Sequence, residues 1–529
     1  MGEEQGANHR GGGDVSLFDV NCMLGPTNTN REPAFRSAGD LLVEMDRVGI
    51  AESLVYASQS MMAHPADGNG MILEMTKGHS RLYPCWVVLP ASTSGMGTPE
   101  AQVKQMTEKG VRAARIFPEE HNFPILEPVL RSMLLALSDA RIPLIIDVGR
   151  TGWGQIALDW RSIFEIAERH PNLPLILLRE GGTTERILYE VWDDHPNIHL
   201  ETSYMQASQI LEENVDCFGG KRLLFGTAMP QYDSGGALGL LNGAQLSPES
   251  YGDIGGNNLR RLFGLPKAEV RSRAKWPCGQ DGFRVFDIHG HIGLWPHKYY
   301  CDGSVEEMVE RMDQTGVERF AVSDILAIGP DYKAGNDRIG DAVARYPERI
   351  VGYVVYNPNY ESEMADEMKR GFDDLGCRGI KIHCAVHETS TEDPSYRLGF
   401  QTAHVRQCPI LCHVHQGPSP DFLMRVLGDF PDAKFIYAHV GGGSKAGLEP
   451  FLEVANLRPN LFFDLGVSQI PRGILAWLVE QVPHEQILYG SDHPLNEFTF
   501  QLGRVIYADI PDNVKRAILW DNSARIFDI

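Results

Sequence analysis

The chain has 529 residues, of which 43% are hydrophobic and 22% charged, and its formal net charge is −22. That length exceeds one ordinary core and suits two domains, and the composition excludes disorder over most of it. The acidic balance argues against nucleic acid as a partner, and no apolar run reaches the roughly 18 residues that cross a bilayer.

The opening, MGEEQGANHRGGG, is polar and Gly-rich. It has no apolar centre, so residues 1–14 read as a flexible tail rather than a signal peptide. The nine cysteines are scattered without a CxxC pair. They read as buried reduced thiols, and a cytoplasmic protein is expected.

From residue 15 onward the chain spells out a pattern that it later repeats. LFDVNCMLG, from Leu17, returns as VFDIHGHIG, from Val285, with Asp19 on Asp287 at an offset of 268 residues. LLVEMDRVGIAESLVYAS returns as EMVERMDQTGVERFAVSD, LYPCWVVLP as RIVGYVVYNP, and GVRAARIF as GCRGIKIH. IPLIIDVG, HPNLPLILLREGG, NIHLETS and LLFGTAMP return as CPILCHVH, FPDAKFIYAHVGG, NLFFDLG and ILYGSDHP. NNLRRLFGL and DNSARIFDI close the two halves. Nine blocks in one order at a near-constant offset point to a tandem duplication. The expected organisation is a tail over 1–14, a first half over 15–270, a linker over 271–283 and a second half over 284–529.

In the second half, eight apolar runs alternate with helical patterns: RVFDIHGH, RFAVSDI, IVGYVVYN, RGIKIH, PILCHVH, KFIYAHV, LFFDLGV and ILYGSD. Several are near-continuous in Val and Ile, as strands buried on both faces should be. Between the first two lies a helix signal, SVEEMVERMDQTG, with Ser304 and Glu307 spaced as a capping box, Val305, Met308, Val309 and Met312 on one face, and Gly316 at its end. The final helix is expected from about Asn513. Eight strands alternating with helices in roughly 250 residues predict an α/β architecture, two tandem (β/α)8 TIM barrels. A doubly wound sheet would show a Gly-rich phosphate loop after its first strand, and none is present.

Barrel chemistry belongs at the C-terminal ends of the strands. There the second half places His289 and His291 on strand one, Lys381 and His383 on strand four, His413 and His415 on strand five, His439 on strand six, Asp464 on strand seven and Asp492 on strand eight. Residues two apart on a strand face the same way, so two imidazoles of one strand can reach a single ion. A mouth of imidazoles and a carboxylate suits a borderline divalent metal, Zn²⁺ first and Mn²⁺ second. His493 follows Asp492 and is expected to point away as a structural residue. Asp287 shares the inward face of His289 one layer deeper. His297, His387 and His404 read as surface or loop residues.

The DxHxH, the histidines on strands five and six, and the GSDxP of strand eight resemble the amidohydrolase superfamily, within it the amidohydrolase-related group that includes metal-dependent decarboxylases. The resemblance implies that His289, His291 and His413 ligate metal. It implies that Asp492 is both ligand and general base, and that His439 polarises substrate or steadies the developing oxyanion. Lys381 falls where binuclear members of the superfamily carry a carboxylated bridging lysine, a modification the related group mostly lacks. Lys381, His383, His415 and Asp464 are expected to contact substrate or to support the ligands.

In the first half the same positions read Asn21, Met23, Phe117, Asp147, Arg179 and Ala228, whereas Asp19, Pro90, Gly226 and Pro230 persist. The first barrel is therefore expected to keep the fold without metal chemistry and to act as one half of an intrachain pseudo-dimer that braces the second. Arg150 and Arg179 are expected at its mouth, facing an anion or a carboxylate such as Glu180. A homo-oligomer is compatible with this reading. The expected activity is hydrolysis of a C–N or C–O bond of a small molecule by metal-activated water. The alternatives are a non-oxidative decarboxylase, for which Arg397 or Lys381 would hold the carboxylate, and a non-catalytic binding or scaffold protein. Trp295, Tyr299 and Tyr300 are candidates for a substrate wall.

Overall fold

The computed structural model describes residues 16–28, 34–92, 95–148, 158–178, 185–269, 275–279, 282–296, 303–414, 417–468 and 470–529. The chain divides into two compact units. One comprises Met1–Met205 with Leu211–Trp276, and the other Gln206–Ile210 with Pro277–Ile529. The boundary thus falls at Trp276/Pro277, and five residues from well upstream group with the second unit. No helix among the described residues is long and apolar enough to cross a membrane.

The first unit has eight parallel strands: β1 (Leu17–Leu24), β2 (Ile50–Ala57), β3 (Leu82–Val87), β4 (Ala113–Ile116), β5 (Leu144–Ile146), β6 (Leu175–Leu177), β7 (Ile198–Glu201) and β8 (Leu223–Leu224). They pair in sequence order. The segment after β8 returns to β1, with Val20 N–H on Phe225 O at 3.0 Å and Met23 N–H on Met229 O at 2.8 Å.

The second unit repeats the plan with β9 (Phe286–Ile292), β10 (Arg319–Asp324), β11 (Ile350–Val355), β12 (Gly379–Ile382), β13 (Pro409–Cys412), β14 (Lys434–Tyr437), β15 (Leu461–Asp464) and β16 (Ile487–Leu488), again paired in order. Ile288 N–H to Tyr489 O (3.0 Å) and His291 N–H to His493 O (2.8 Å) join the ends. Each unit is a (β/α)8 barrel. The eight apolar runs read from the sequence are these eight strands, and β9 and β11 to β13 are buried along their whole length, as a sheet covered on both faces requires.

The helix after β9 spans Val305–Thr315, with the Ser304 hydroxyl accepting from Glu307 N–H. It buries Val305, Met308 and Met312 and ends at Gly316, where φ is +83°. Its counterpart in the first unit, Ala38–Val48, starts at Ser37 and ends at Gly49 with φ +81°. A left-handed residue satisfies the last carbonyls of a helix at no steric cost only as glycine. Both units close with a helical run broken by a wide π turn, at Asp253–Asn257 in one and Ala517–Asp521 in the other. The core of the second barrel comprises Phe286, Ile288, Tyr353, Leu411, Ile436, Phe462 and Leu488, packed with Ile526 and Phe527 of the last helix.

Candidate metal centre

β9 brings His289 and His291 to one face. Gly290 between them faces the other way, and a Cβ there would lie 1.8 Å from the Phe320 ring. The His-Gly-His spelling thus answers packing on one side and chemistry on the other. His291 Nε2 lies 3.0 Å, and His289 Nε2 3.5 Å, from the same Asp492 oxygen, Oδ1. The ligand atoms of these three residues all lie within 4.8 Å of one another. Metal–ligand bonds of about 2.0–2.2 Å put neighbouring donors roughly 3–3.5 Å apart around one ion. The two nitrogens and one carboxylate oxygen therefore fit a divalent cation.

The electrostatics agree with that donor set. Burial alone would raise the Asp492 pKa, but the hydrogen bond from His291 and the neighbouring His289 and His439 hold it well below the usual carboxylate range. Burial, reinforced by the charge of Lys381, pushes the His289 imidazole well below its ordinary value, and burial does the same to His291 more mildly. Both rings are thereby kept neutral, the form that binds metal. Asp492 has φ +64°, a conformation rare for a side-chain-bearing residue, and its N–H donates to His289 O at 2.7 Å.

Asp464, expected to reach one of the histidines, lies with Oδ2 2.5 Å from His289 Nδ1. Its Oδ1 accepts from Gly466 N–H at 2.7 Å. His289, His439 and Asp464 form a second group with metal-compatible spacing. Since hydrogen bonds already occupy both oxygens of Asp464, it is better suited to fixing the His289 tautomer than to ligation. Asp287 works on the main chain: its Oδ1 accepts from His289 N–H and Ser491 N–H, each at 3.0 Å.

Neither group includes His413. Its Nδ1 lies 2.9 Å from His439 Nε2, and its ring stacks on His383 with centroids 4.0 Å apart. The Nδ1 of His439 is hydrogen-bonded to Gly466 O. This chain of bonds makes His439 Nδ1 a donor to the carbonyl and His413 Nδ1 a donor to His439, which leaves the lone pair of His413 on Nε2. Lys381 Nζ is 2.9 Å from His289 Nε2, and burial brings its ammonium down to about 8 even though Asp492 and Asp464 oppose the shift. His383 accepts from Val386 N–H through Nδ1 and lies 6.3 Å from the Trp295 ring. His415 lies outside the described residues, as do Arg150, Arg179, Glu180, His297, Tyr299 and Tyr300.

A family model described as amidohydrolase matches residues 25–265 and, a second time, residues 286–529. The chain belongs to the amidohydrolase family. Solved structures similar to it include 5-carboxyvanillate decarboxylase from Sphingomonas paucimobilis, at 17% identity and TM-score 0.37, covering 47% of this chain and 100% of that one. Another is 2,6-dihydroxybenzoate decarboxylase from Rhizobium, at 14% identity and TM-score 0.37, covering 47% of this chain and 99% of that one. A third is 4-oxalomesaconate hydratase from Rhodopseudomonas palustris, at 14% identity and TM-score 0.35, covering 46% of this chain and 95% of that one. At such identities no substrate carries over to this chain. No curated protein matches it.

Against the amidohydrolase pattern, some residues take places the sequence did not mark. Ser323, at the end of β10, lies with Oγ 3.1 Å from His291 Nδ1. One polar residue closing an apolar run, RFAVSD, was the available signal. His387 is not a surface residue but is buried, with Nδ1 3.4 Å from Tyr396 Oη and Nε2 3.2 Å from Ile328 O. Nε2–H donates to the carbonyl and Nδ1 accepts from the Tyr396 hydroxyl, the one-donor, one-acceptor pattern of a neutral ring, and burial holds this ring down at about 4. Arg397 is exposed beside Asp429, so it offers the centre no cation. His493 points away from Asp492 and stacks on Phe498 at 3.9 Å.

In the first unit of this amidohydrolase chain, Asn21 and Asp147 stand where His289 and His413 stand in the second. Both accept from Arg115, whose Nη2 lies 2.9 Å from Asn21 Oδ1 and 2.5 Å from Asp147 Oδ2. Arg115 is the counterpart of Lys381, and its guanidinium sits 4.0 Å from the centre of the Tyr56 ring. Asp19 repeats the Asp287 clamp, accepting from Asn21 N–H at 2.8 Å and Thr227 N–H at 3.1 Å.

Proposed function

We propose that the second unit is a metal-dependent hydrolase that cleaves a C–N or C–O bond of a small molecule, with zinc as its ion and manganese as the alternative. The observation that carries this reading is the convergence of two imidazole nitrogens on one oxygen of Asp492, at 3.5 and 3.0 Å. A divalent ion held there supplies Lewis-acid polarisation and lowers the pKa of a water towards ~7.

The residues of the chain supply the remainder. Asp492, held ionised, is placed to take a proton from the attacking water. Asp464 accepts a hydrogen bond from His289 Nδ1–H, which would leave the Nε2 lone pair for the ion. His439, anchored through Nδ1 on Gly466 O, is the candidate for polarising the substrate. That role requires Nε2 to leave the His413 contact and to present an N–H, in place of the lone pair that faces His413 here, to the substrate oxygen.

A second reading, decarboxylation of an aromatic or enoic acid, is favoured by Lys381, a buried cation 2.9 Å from His289 that could hold a carboxylate. Elemental analysis of the purified chain beside Asp492→Ala, joined to a panel of amides, esters, lactones and aromatic acids, tests both. Roughly one zinc or manganese per chain, with hydrolysis that disappears in the variant, supports the first reading. Carbon dioxide release without hydrolysis moves the assignment to the second. Protein that takes up no added metal and turns nothing over removes the enzyme reading and leaves a binding protein.

A further inference from the structure

The loop after β16 carries Asp492 in a left-handed conformation, which persists only where the surroundings over-determine it. From inside the barrel it is held by Asp287 and by the carbonyl of His289. Its other side is held by the five upstream residues that belong to the second unit, Gln206–Ile210. Ser208 N–H donates to Pro494 O at 3.2 Å, and Glu497 N–H to Gln206 O at 2.5 Å. Gln209 N–H donates to Glu497 Oε2 at 2.8 Å. The Glu497 carboxylate is wholly buried and also pairs with Arg311, at 3.1 Å from Nε. The Gln209 side chain reaches Glu307 on the helix Val305–Thr315. Gln206 Nε2 donates to Ser468 O at 2.6 Å. Ser468 lies in the loop after β15, the loop whose Gly466 carbonyl anchors His439. The pentapeptide therefore ties together the two loops that set Asp492 and His439, and Gln206 and Ser208 are buried in doing so.

We propose that Gln206–Ile210 is a positioning element of the metal centre, with Gln206 and Gln209 as its working residues. The catalytic unit is then incomplete without a piece of chain that precedes the linker by more than sixty residues. The inference rests on the metal-centre reading above.

The test is competition for Zn²⁺ between a chromogenic chelator and the full-length chain, as wild type, Gln206→Leu, Gln209→Gly and a control, Leu478→Ala. Leucine is close to glutamine in volume but removes the bond to Ser468 O. Glycine accepts the φ of +56° at position 209 and removes the bond to Glu307. Leu478 is buried in the helix Ile474–Gln481, and its truncation destabilises the unit through packing alone. The expected result is zinc affinity weakened at least about tenfold in both glutamine variants, the scale seen when partners of metal ligands are lost. The control keeps wild-type affinity despite an equal or larger drop in Tm. Affinities of Gln206→Leu and Gln209→Gly within about threefold of wild type overturn the proposal, as does an equal loss in the control. Wild-type protein that takes up no zinc removes the metal centre itself, and this proposal with it.

Discussion

Lys381 and Asp464 are the residues through which the polar interior of the second barrel is most open to test. Lys381 is charged in the unfolded chain up to its ordinary value of 10.5 but loses its proton at about 8 when folded. Between those two values the unfolded chain binds the extra proton, so folding stability attributable to this residue rises with pH. Metal-free wild type should gain up to roughly 3 kcal/mol relative to Lys381→Met as pH rises from about 8 to about 10.5. Denaturant unfolding of both proteins at matched pH values measures it, and a gap that does not narrow would show that burial does not bring the Lys381 ammonium down. Asp464→Asn keeps the shape of the side chain but gives up the carboxylate that faces His289 Nδ1. Zinc affinity is expected to fall by about 10–100-fold, read by chelator competition, with the fold intact by circular dichroism.

The strands explain which parts of this molecule can be read in advance. β9 was legible down to its paired histidines because a period of two puts His289 and His291 on one face and leaves Gly290 for Phe320. Asp492 was legible because its place at the end of the last apolar run is fixed by the strand before it. The partners of those residues were not. Gly466 O, Ser468 O and Pro494 O are main-chain carbonyls, and every residue carries one, so nothing in the spelling distinguishes those that will be used. His387 was misread for a related reason: a loop position suggests exposure, and only the folded chain shows Tyr396 and Ile328 closing over it. Gly490, after β16, carries a further prediction. A Cβ there would stand 2.1 Å from Asp464 Oδ1 and 2.8 Å from the His289 Cβ. Gly490→Ala should displace both, and is expected to lower Tm and to abolish high-affinity zinc binding in the folded fraction. A Cβ added to its twin, Gly226, would likewise stand 2.1 Å from Glu201 Oε1.

At the scale of the whole molecule, two copies of one barrel have answered the same problem with different cations. In the first, the buried Asp147 carboxylate is matched by Arg115, both essentially without solvent exposure. Arg115→Met would remove the cation that faces that buried carboxylate, at a cost of about 3–5 kcal/mol. The expected readout is a lowered unfolding transition that chelator does not shift, beside a second transition that chelator does. The Asp19 and Asp287 clamps show how closely the copies otherwise agree. Each takes two amide protons, from Asn21 and Thr227 in one barrel and from His289 and Ser491 in the other. If the ion sits in the second barrel alone, as proposed, the polypeptide contains its own blank, at a fixed one-to-one ratio. Hydrogen exchange followed at those four amides while zinc is added would compare a ligand-bearing clamp with a ligand-free one in the same tube. Whatever pH, temperature or solvent does to the barrel in general would register at both pairs, and the difference between them would isolate the contribution of the ion.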